Sequence, residues 1–275
     1  MIKTRRFEDK NYYAIFNSSG KTIRMTIDPS KPIQELDYPE FYDVSITNYC
    51  KGGCPYCYQN SCTSYSRDLP VLERFKTFFE CMTPHQRPFQ VAFGGGEPTD
   101  HVQFEEIIKT CRALGIMPNY TTNGLNMSSS LIKLTQNYCG GVAVSTHKHL
   151  AWEVAAHCYI AAGIRTNLHI IISDKDSVDD FLEIYKKFPK VHYFVLLPYM
   201  RMGRASRTFT DFGYLFEQIK KIDYSKIAFG ANFYPYLQDK KWLKMSLYEP
   251  ELLSKYLNLP TMKLYKSSFN LKEIK

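Results

Sequence analysis

The 275-residue sequence contains no run close to the roughly 18–20 consecutive apolar residues that a membrane span needs. A helical membrane protein is therefore excluded at the outset. Met1-Ile2-Lys3-Thr4-Arg5-Arg6 is basic but no apolar stretch follows it, so a secretory leader is not expected and a cytoplasmic location is. Long basic blocks are missing too: Lys220-Lys221 and Lys240-Lys241 are isolated pairs. The net charge of +8, from 35 basic and 27 acidic residues, then reads as a soluble surface with excess lysine. Its functional reading is a preference for anionic partners such as a nucleotide, an acidic peptide or RNA, and nucleic acid is not the partner favoured here. There is no low-complexity segment. Hydrophobic content of 44% supports a full core and argues against disorder.

Cysteine is present but badly distributed for a disulfide scaffold. Of eight cysteines, Cys50, Cys54, Cys57 and Cys62 crowd into thirteen positions, and none follows Cys158. A chain this long without a secretion signal is not expected to be stapled by disulfides. Cys81, Cys111, Cys139 and Cys158 stand singly and read as small buried hydrophobes.

Beyond residue 40, β-rich runs alternate with helical patterns. Strands are expected at 42–47, 89–93, 117–121, 141–145, 166–172 and 193–197. Helices are expected at 69–82, 104–114, 128–138, 150–162, 178–188 and 212–222. Ser128 can cap the third helix, and Gly115 and Gly163 supply stop signals. Six βα units in tandem imply parallel strands with helical crossovers. A full (β/α)8 barrel needs ~250 residues, and only about 180 carry the alternation. The expected fold is α/β, an open partial (β/α)6 barrel. Residues 1–40 form an N-terminal extension read as a β-hairpin around Asn17-Ser18-Ser19-Gly20. Residues 41–225 form the barrel. Residues 226–275 form a short α/β tail with a strand at 227–233 and a helix at 250–257. In parallel α/β folds the chemistry gathers at the C-terminal strand ends.

Cys50-Lys51-Gly52-Gly53-Cys54-Pro55-Tyr56-Cys57 follows the first barrel strand. Three thiolates spaced by three and two residues can wrap one corner of an iron–sulfur cubane, and two glycines let the loop bend around it. Three ligands on four irons leave one iron open to a small molecule. Two other readings stay open on spacing alone. A four-thiolate zinc site that recruits Cys62 would make the chain a zinc-stabilised binding module. Cys54-Pro55-Tyr56-Cys57 could be a redox pair.

These residues resemble the signature of the radical S-adenosylmethionine superfamily, with Tyr56 as the aromatic residue before the third cysteine. The resemblance runs from about Tyr42 to Arg204. It implies a [4Fe–4S] cluster on Cys50, Cys54 and Cys57 and S-adenosylmethionine on the open iron. It further implies reductive cleavage to a 5′-deoxyadenosyl radical, with an electron donor such as flavodoxin or ferredoxin. Gly95-Gly96-Glu97 after the second strand is similar to the family's GGE motif, which binds the cofactor's amino group. The Thr122-Asn123-Gly124 turn, Ser145 and the stretch from Pro198 hold corresponding places around the cofactor.

Asn167 and His169 alternate on the fifth strand and so share a face. If that face is the barrel interior, they line the pocket and need hydrogen-bond partners there. His147, with His149 close by, and Arg201 and Arg204 stand where a barrel mouth opens. There they could meet substrate, the arginines an acidic one, and their plain reading is solvated loop residues. The resemblance points most to the peptide-modifying branch, but the cysteines that bind auxiliary clusters in that branch's C-terminal extension have no counterpart after Cys158. The expected substrate is a peptide or protein. The alternatives are a small molecule or nucleotide, or the glycyl-radical partner of an activase.

Overall fold

The computed structural model describes residues 2–17, 20–148, 150–206, 209–243 and 249–274. Three antiparallel strands come first: β1 (Ile2–Phe7), β2 (Tyr12–Asn17) and β3 (Thr22–Met25), in the order β1-β2-β3. The expected hairpin is β2–β3, with Phe16 opposite Thr22; Ser18 and Ser19 of its turn lie outside the described residues. β1 is the strand that the sequence pattern hides. Its inward residue is Arg5, only 2% exposed. The Arg5 guanidinium donates to the carbonyls of Tyr38 and Arg87 and lies 4.7 Å from the Phe89 ring centroid. A buried arginine breaks the apolar alternation by which a strand is recognised.

The barrel follows as β4 (Phe41–Thr47), α1 (Val71–Glu80), β5 (Gln90–Gly95), α2 (Phe104–Ala113), β6 (Met117–Thr122), α3 (Ser129–Tyr138), β7 (Gly141–Ser145), α4 (Trp152–Ala161), β8 (Thr166–Ile172), α5 (Lys175–Lys187), β9 (Tyr193–Pro198) and α6 (Gly213–Ile219). Strands β4 to β9 pair in parallel, each with the next. Ser128 caps α3 by accepting from the Leu131 N–H. The tail adds β10 (Ile227–Phe229), α7 (Tyr234–Leu237), β11 (Ser254–Asn258), β12 (Lys263–Ser267) and β13 (Asn270–Glu273).

The tail corrects two expectations. Residues 250–257 are not a helix: a 3-10 turn at Pro250–Leu252 leads into β11, which pairs in parallel with β4. Leu253, Tyr256 and Leu257 imitate helical spacing, but Tyr256 and Leu257 are buried because the strand is covered on both faces, and Leu253, just before it, packs with Tyr12 and Phe16 of the N-terminal sheet. The strand expected at 227–233 stops at Phe229 and gives way to 3-10 and helical turns. β10 lies beside β9. The result is one curled ten-stranded sheet, β10-β9-β8-β7-β6-β5-β4-β11-β12-β13. Among the described residues no helix is long and apolar enough to cross a membrane.

Period-two alternation gives this sheet two unlike faces. One face carries Tyr42, Val44, Ile46, Phe93, Tyr120, Val144, Leu168, Ile170 and Phe194. These pack on Phe75, Phe79, Ile107, Leu131, Ala155, Phe181 and Leu215 of the helices. Each buried large side chain contributes ~1.5–3 kcal/mol of hydrophobic stabilisation. The other face carries the residues between them: Asp43, Ser45, Ala92, Gly94, Asn119, Thr121, Ala143, Ser145, Asn167 and His169. Small and polar residues from β4 to β7, with Ile171, Val195 and Leu197 added on β8 and β9, leave a concave surface that the core does not fill.

The N-terminal sheet packs at the end of the barrel where the strands begin. Lys3 reaches the Gly115 carbonyl before β6, Arg5 reaches Tyr38 and Pro39 before β4, and Phe16 stacks on Phe89 before β5 at 5.3 Å. The opposite end, where the strands finish, carries the cysteine loop.

Candidate active site

The loop from Cys50 to Cys57 leaves β4 and is closed by its own backbone. The Cys50 N–H donates to the Cys62 carbonyl, and the Cys62 N–H to the Asn48 carbonyl, both at 3.2 Å. Cys62 thus serves the loop through its main chain, while its thiol contacts the Ser64 hydroxyl at 2.9 Å. Within the loop the Cys57 N–H donates to the Cys54 carbonyl at 3.2 Å. Gly52 lies against two thiols: a Cβ there would stand 3.3 Å from Cys50 Sγ and 3.6 Å from Cys54 Sγ. Gly53 has φ +60°, which other residues adopt at a cost. Gly53 thus supplies a left-handed turn, and Gly52 leaves the two thiols uncrowded.

Burial pushes the Cys50 thiol up and the Cys54 thiol up to about 11. Both are protonated at neutral pH without a metal, so metal binding must displace their protons. Two N–H groups already point at Cys50 Sγ: the Gly52 amide at 3.3 Å and the Asn123 side-chain amide at 3.6 Å. Donors on sulfur suit a thiolate ligand of an iron–sulfur cluster. Among the described residues no three His, Cys, Asp or Glu side chains are gathered closely enough for a single metal ion. A cubane is wider than one ion and spreads its thiolates further apart.

The Gly-Gly-Glu segment crosses the end of β4 at very short range. A Cβ on Gly95 would overlap Ser45 and the Thr47 carbonyl, and one on Gly96 would overlap the Tyr49 carbonyl. The Gly96 N–H donates to the Thr47 carbonyl and the Glu97 N–H to the Tyr49 carbonyl. Glu97 is not free at the surface. It is 2% exposed, and its carboxylate accepts from the Thr99 hydroxyl at 2.7 Å, the Thr122 hydroxyl at 2.9 Å and the Asn123 N–H at 2.7 Å. Burial raises its pKa, and these hydrogen bonds work against the rise. Glu97 and Thr122 spend their hydrogen bonds joining the β5 and β6 ends. The glycine turn itself is half-buried, and its Gly95 carbonyl accepts from the Ser61 hydroxyl.

Tyr56 and His147 meet: the phenol oxygen lies 3.1 Å from His147 Nδ1, and the Tyr56 ring is 6.3 Å from Tyr199, which follows Pro198. Ser145 pairs in register with His169, and Ala143 with Asn167, so Ser145, Asn167 and His169 share the concave face. Burial, reinforced by His147, lowers the His169 pKa to about 4. The Asn167 side-chain carbonyl is buried with no hydrogen-bond partner, as is that of Asn48. Such orphan acceptors fit a bound molecule rich in N–H and O–H donors, which adenosine is. Arg201 is exposed. Arg204 turns inward instead: it donates to the Cys54 and Ser61 carbonyls, both at 2.9 Å. The partners it has here are main-chain carbonyls of the cysteine loop. His149 lies outside the described residues.

Two residues escaped the sequence reading. Ser61, 2% exposed, ties the loop to the Gly95 carbonyl at 3.5 Å. Asp43 faces the concave side, and burial alone raises its pKa to about 7. Its place on that face was readable from strand parity, since Val44 and Ile46 point into the core, whereas its neighbour Tyr256 on β11 was not.

Residues 44–202, more than half of the chain, match the sequence profile of the Radical SAM superfamily. The chain belongs to that superfamily and is an enzyme of its class, working with a [4Fe–4S] cluster and S-adenosylmethionine. Among solved structures it is similar to SuiB of Streptococcus suis bound to S-adenosylmethionine, with TM-score 0.72 and 12% identity over 100% of this chain and 84% of that one. SuiB bound to its precursor peptide SuiA gives 0.69 and 12% over 96% and 83%. Native anSMEcpe with bound AdoMet gives 0.60 and 16% over 84% and 75%. At these identities the likeness is one of fold. A curated relative, the 7,8-dihydro-6-hydroxymethylpterin dimethyltransferase of Methanocaldococcus jannaschii, is 30% identical over 89 residues. That stretch is 32% of this chain and 18% of the relative, so the chain matches less than a fifth of that protein.

Proposed function

We propose that Cys50, Cys54 and Cys57 hold the cluster and that the enzyme abstracts a hydrogen atom from a peptide. The three-thiol loop with donors aimed at Cys50 Sγ supports the first part. The resident groups supply, when bound, one electron and a 5′-deoxyadenosyl radical. The chain's own residues do the rest. Asn123 steadies the Cys50 sulfur, and the Gly95–Gly96 turn offers carbonyls to the ammonium of S-adenosylmethionine. Tyr56, Ser145, Asn167, His169 and the stretch after Pro198 border the nucleoside. Arg201 and His147 stand at the mouth toward substrate. A one-electron donor such as flavodoxin or ferredoxin belongs to the proposal, as does a division of roles among residues 1–40, 41–225 and 226–275.

The observation that carries the peptide reading is the match of the whole chain to SuiB, one of whose structures holds a precursor peptide. The N-terminal sheet supports it, because β3 is an edge strand and an extended peptide can add to such an edge. Ile23 and Met25 on β3 are 48% and 40% exposed. A second reading, a pterin-like small molecule, is favoured by the 89-residue match alone.

The test is isotopic. Reduced enzyme is mixed with S-adenosylmethionine and deuterated peptides translated from short reading frames beside its gene, or with 7,8-dihydro-6-hydroxymethylpterin. Deuterium in 5′-deoxyadenosine together with a mass change in a peptide supports the proposal. Turnover with the pterin and none with any peptide overturns it.

A further inference from the structure

We infer that Arg204 is a positioning residue for the cluster loop and that its charge sets the reduction potential of the cluster. The inference rests on the reading of Cys50, Cys54 and Cys57 as the cluster's ligands.

Three hydrogen bonds tie the end of the β9 segment to the loop. The Arg204 N–H donates to the Cys57 carbonyl at 3.0 Å. Its Nε donates to the Cys54 carbonyl and its Nη2 to the Ser61 carbonyl, both at 2.9 Å. One residue thereby holds the backbone of two of the three cysteines and of Ser61, where the chain returns from the loop. The guanidinium suits this task because its donors sit in a rigid planar fork, and two carbonyls seven positions apart in sequence need two divergent donors. Gly203 makes the approach possible. It has φ +58°, and a Cβ there would overlap the Cys57 and Tyr58 carbonyls. Gly203 and Arg204 thus act together, the first by having no side chain and the second by having this one.

Among the described residues Arg204 has no carboxylate partner. Its guanidinium bonds neutral carbonyl oxygens, so no counter-charge cancels it, and the bond to the Cys54 carbonyl at 2.9 Å brings that positive charge beside a cysteine of the loop. Net charge and hydrogen bonding near the sulfurs set iron–sulfur potentials. A cluster gains negative charge on reduction, so a neighbouring cation favours the reduced form and raises the potential. The opposite flank of the loop is held by neutral donors from Asn123 and Gly52. Arg204 is the cationic flank, and it makes the step by which an electron enters the cluster less uphill.

The experiment separates the fork from the charge. Wild type, Arg204→Lys, Arg204→Gln and Arg204→Ala are reconstituted anaerobically. Each is analysed for iron, for the rate of iron release to a chelator, and for midpoint potential by redox titration followed by electron paramagnetic resonance. Losing one hydrogen bond to a charged group is worth roughly ten- to a hundredfold in an equilibrium, and the lower figure carries into the rate where the loop must open before iron leaves. All three variants should therefore release iron on the order of ten times faster than wild type. The lysine variant should keep the wild-type potential, and the glutamine and alanine variants should titrate at more negative values. Lower melting temperatures with unchanged potentials in all variants would show a merely structural arginine and overturn the inference. Equal release rates would overturn it too. Wild type that takes up no iron overturns the cysteine assignment and this inference together, whereas a loaded wild type with indistinguishable variants overturns this inference alone.

Discussion

The backbone N–H of Asn123 donates to Oε2 of Glu97 at 2.7 Å, and the Asn123 side-chain amide reaches the sulfur of Cys50. One residue therefore joins the ends of β4, β5 and β6. The Glu97 carboxylate acts as a buried tie between turns, and what it holds in place is a donor to a cysteine.

Glu97→Gln should weaken this tie without emptying the space. An amide cannot accept at both ends, so the Asn123 N–H or the threonine hydroxyls lose their acceptor. The expected loss is roughly 1.5–3 kcal/mol, the worth of a hydrogen bond to a charged group. Denaturant melts of the metal-free protein measure it. Unchanged stability would mean that Glu97 is not the tie described.

Gly96→Ala should damage the loop by overlap rather than by lost bonding. The added Cβ would run into the Tyr49 carbonyl, and backbone cannot swing away as a side chain can. Overpacking of this kind costs about 1–3 kcal/mol. A melting temperature within a degree of wild type would contradict the close approach of Gly96 to the Tyr49 backbone.

Asp43 gives a pH signature. Its folded pKa of about 7 lies above the ordinary 3.8, so the native state holds the proton longer than the unfolded chain does. Stability then falls as pH rises from about 4 to about 7 and is level above that. Three units correspond to ~4 kcal/mol at most, and solvent reaching this half-buried side chain trims that to roughly 1–2 kcal/mol. Asp43→Asn should stabilise the protein at pH 8 and make no difference near pH 4. A variant less stable than wild type at pH 8 would show that the carboxylate has a partner.

His169 works in the other direction. Burial, with His147 nearby, holds its pKa at about 4, below the ordinary 6.5. The unfolded state binds the proton first, so stability falls as pH drops from about 6.5 to 4 and levels off below. His169→Gln should flatten that limb of the stability curve. An unaltered acid limb in the variant would assign the effect to other groups.

The βα alternation was legible because each strand covers one helical layer, and apolar residues at every second position survive as a pattern. The same parity marks Asp43, Asn167 and His169 as lining the concave face. Three features were hidden for physical reasons. β1 buries Arg5 where an apolar residue would signal a strand. β11 is covered on both faces and Leu253 before it packs on the N-terminal sheet, so Leu253, Tyr256 and Leu257 imitate a helix. Arg204 has the position of a substrate residue, but its acceptors are main-chain carbonyls some 150 positions earlier, which carry no side-chain signal. The enclosure of Glu97 carries no local sequence signal, because two of its donors come from Thr122 and Asn123 at the end of the next strand.

The central claim is that Cys50, Cys54 and Cys57, without Cys62, hold a cluster to which S-adenosylmethionine binds. The most direct test is electron paramagnetic resonance of the anaerobically reconstituted, reduced protein before and after S-adenosylmethionine is added. The account predicts a [4Fe–4S] signal in wild type and in Cys62→Ala that changes shape on addition of S-adenosylmethionine, and no such signal in Cys50→Ala, Cys54→Ala or Cys57→Ala. A full signal in any of those three, its loss in Cys62→Ala, or a wild-type signal indifferent to S-adenosylmethionine would contradict it.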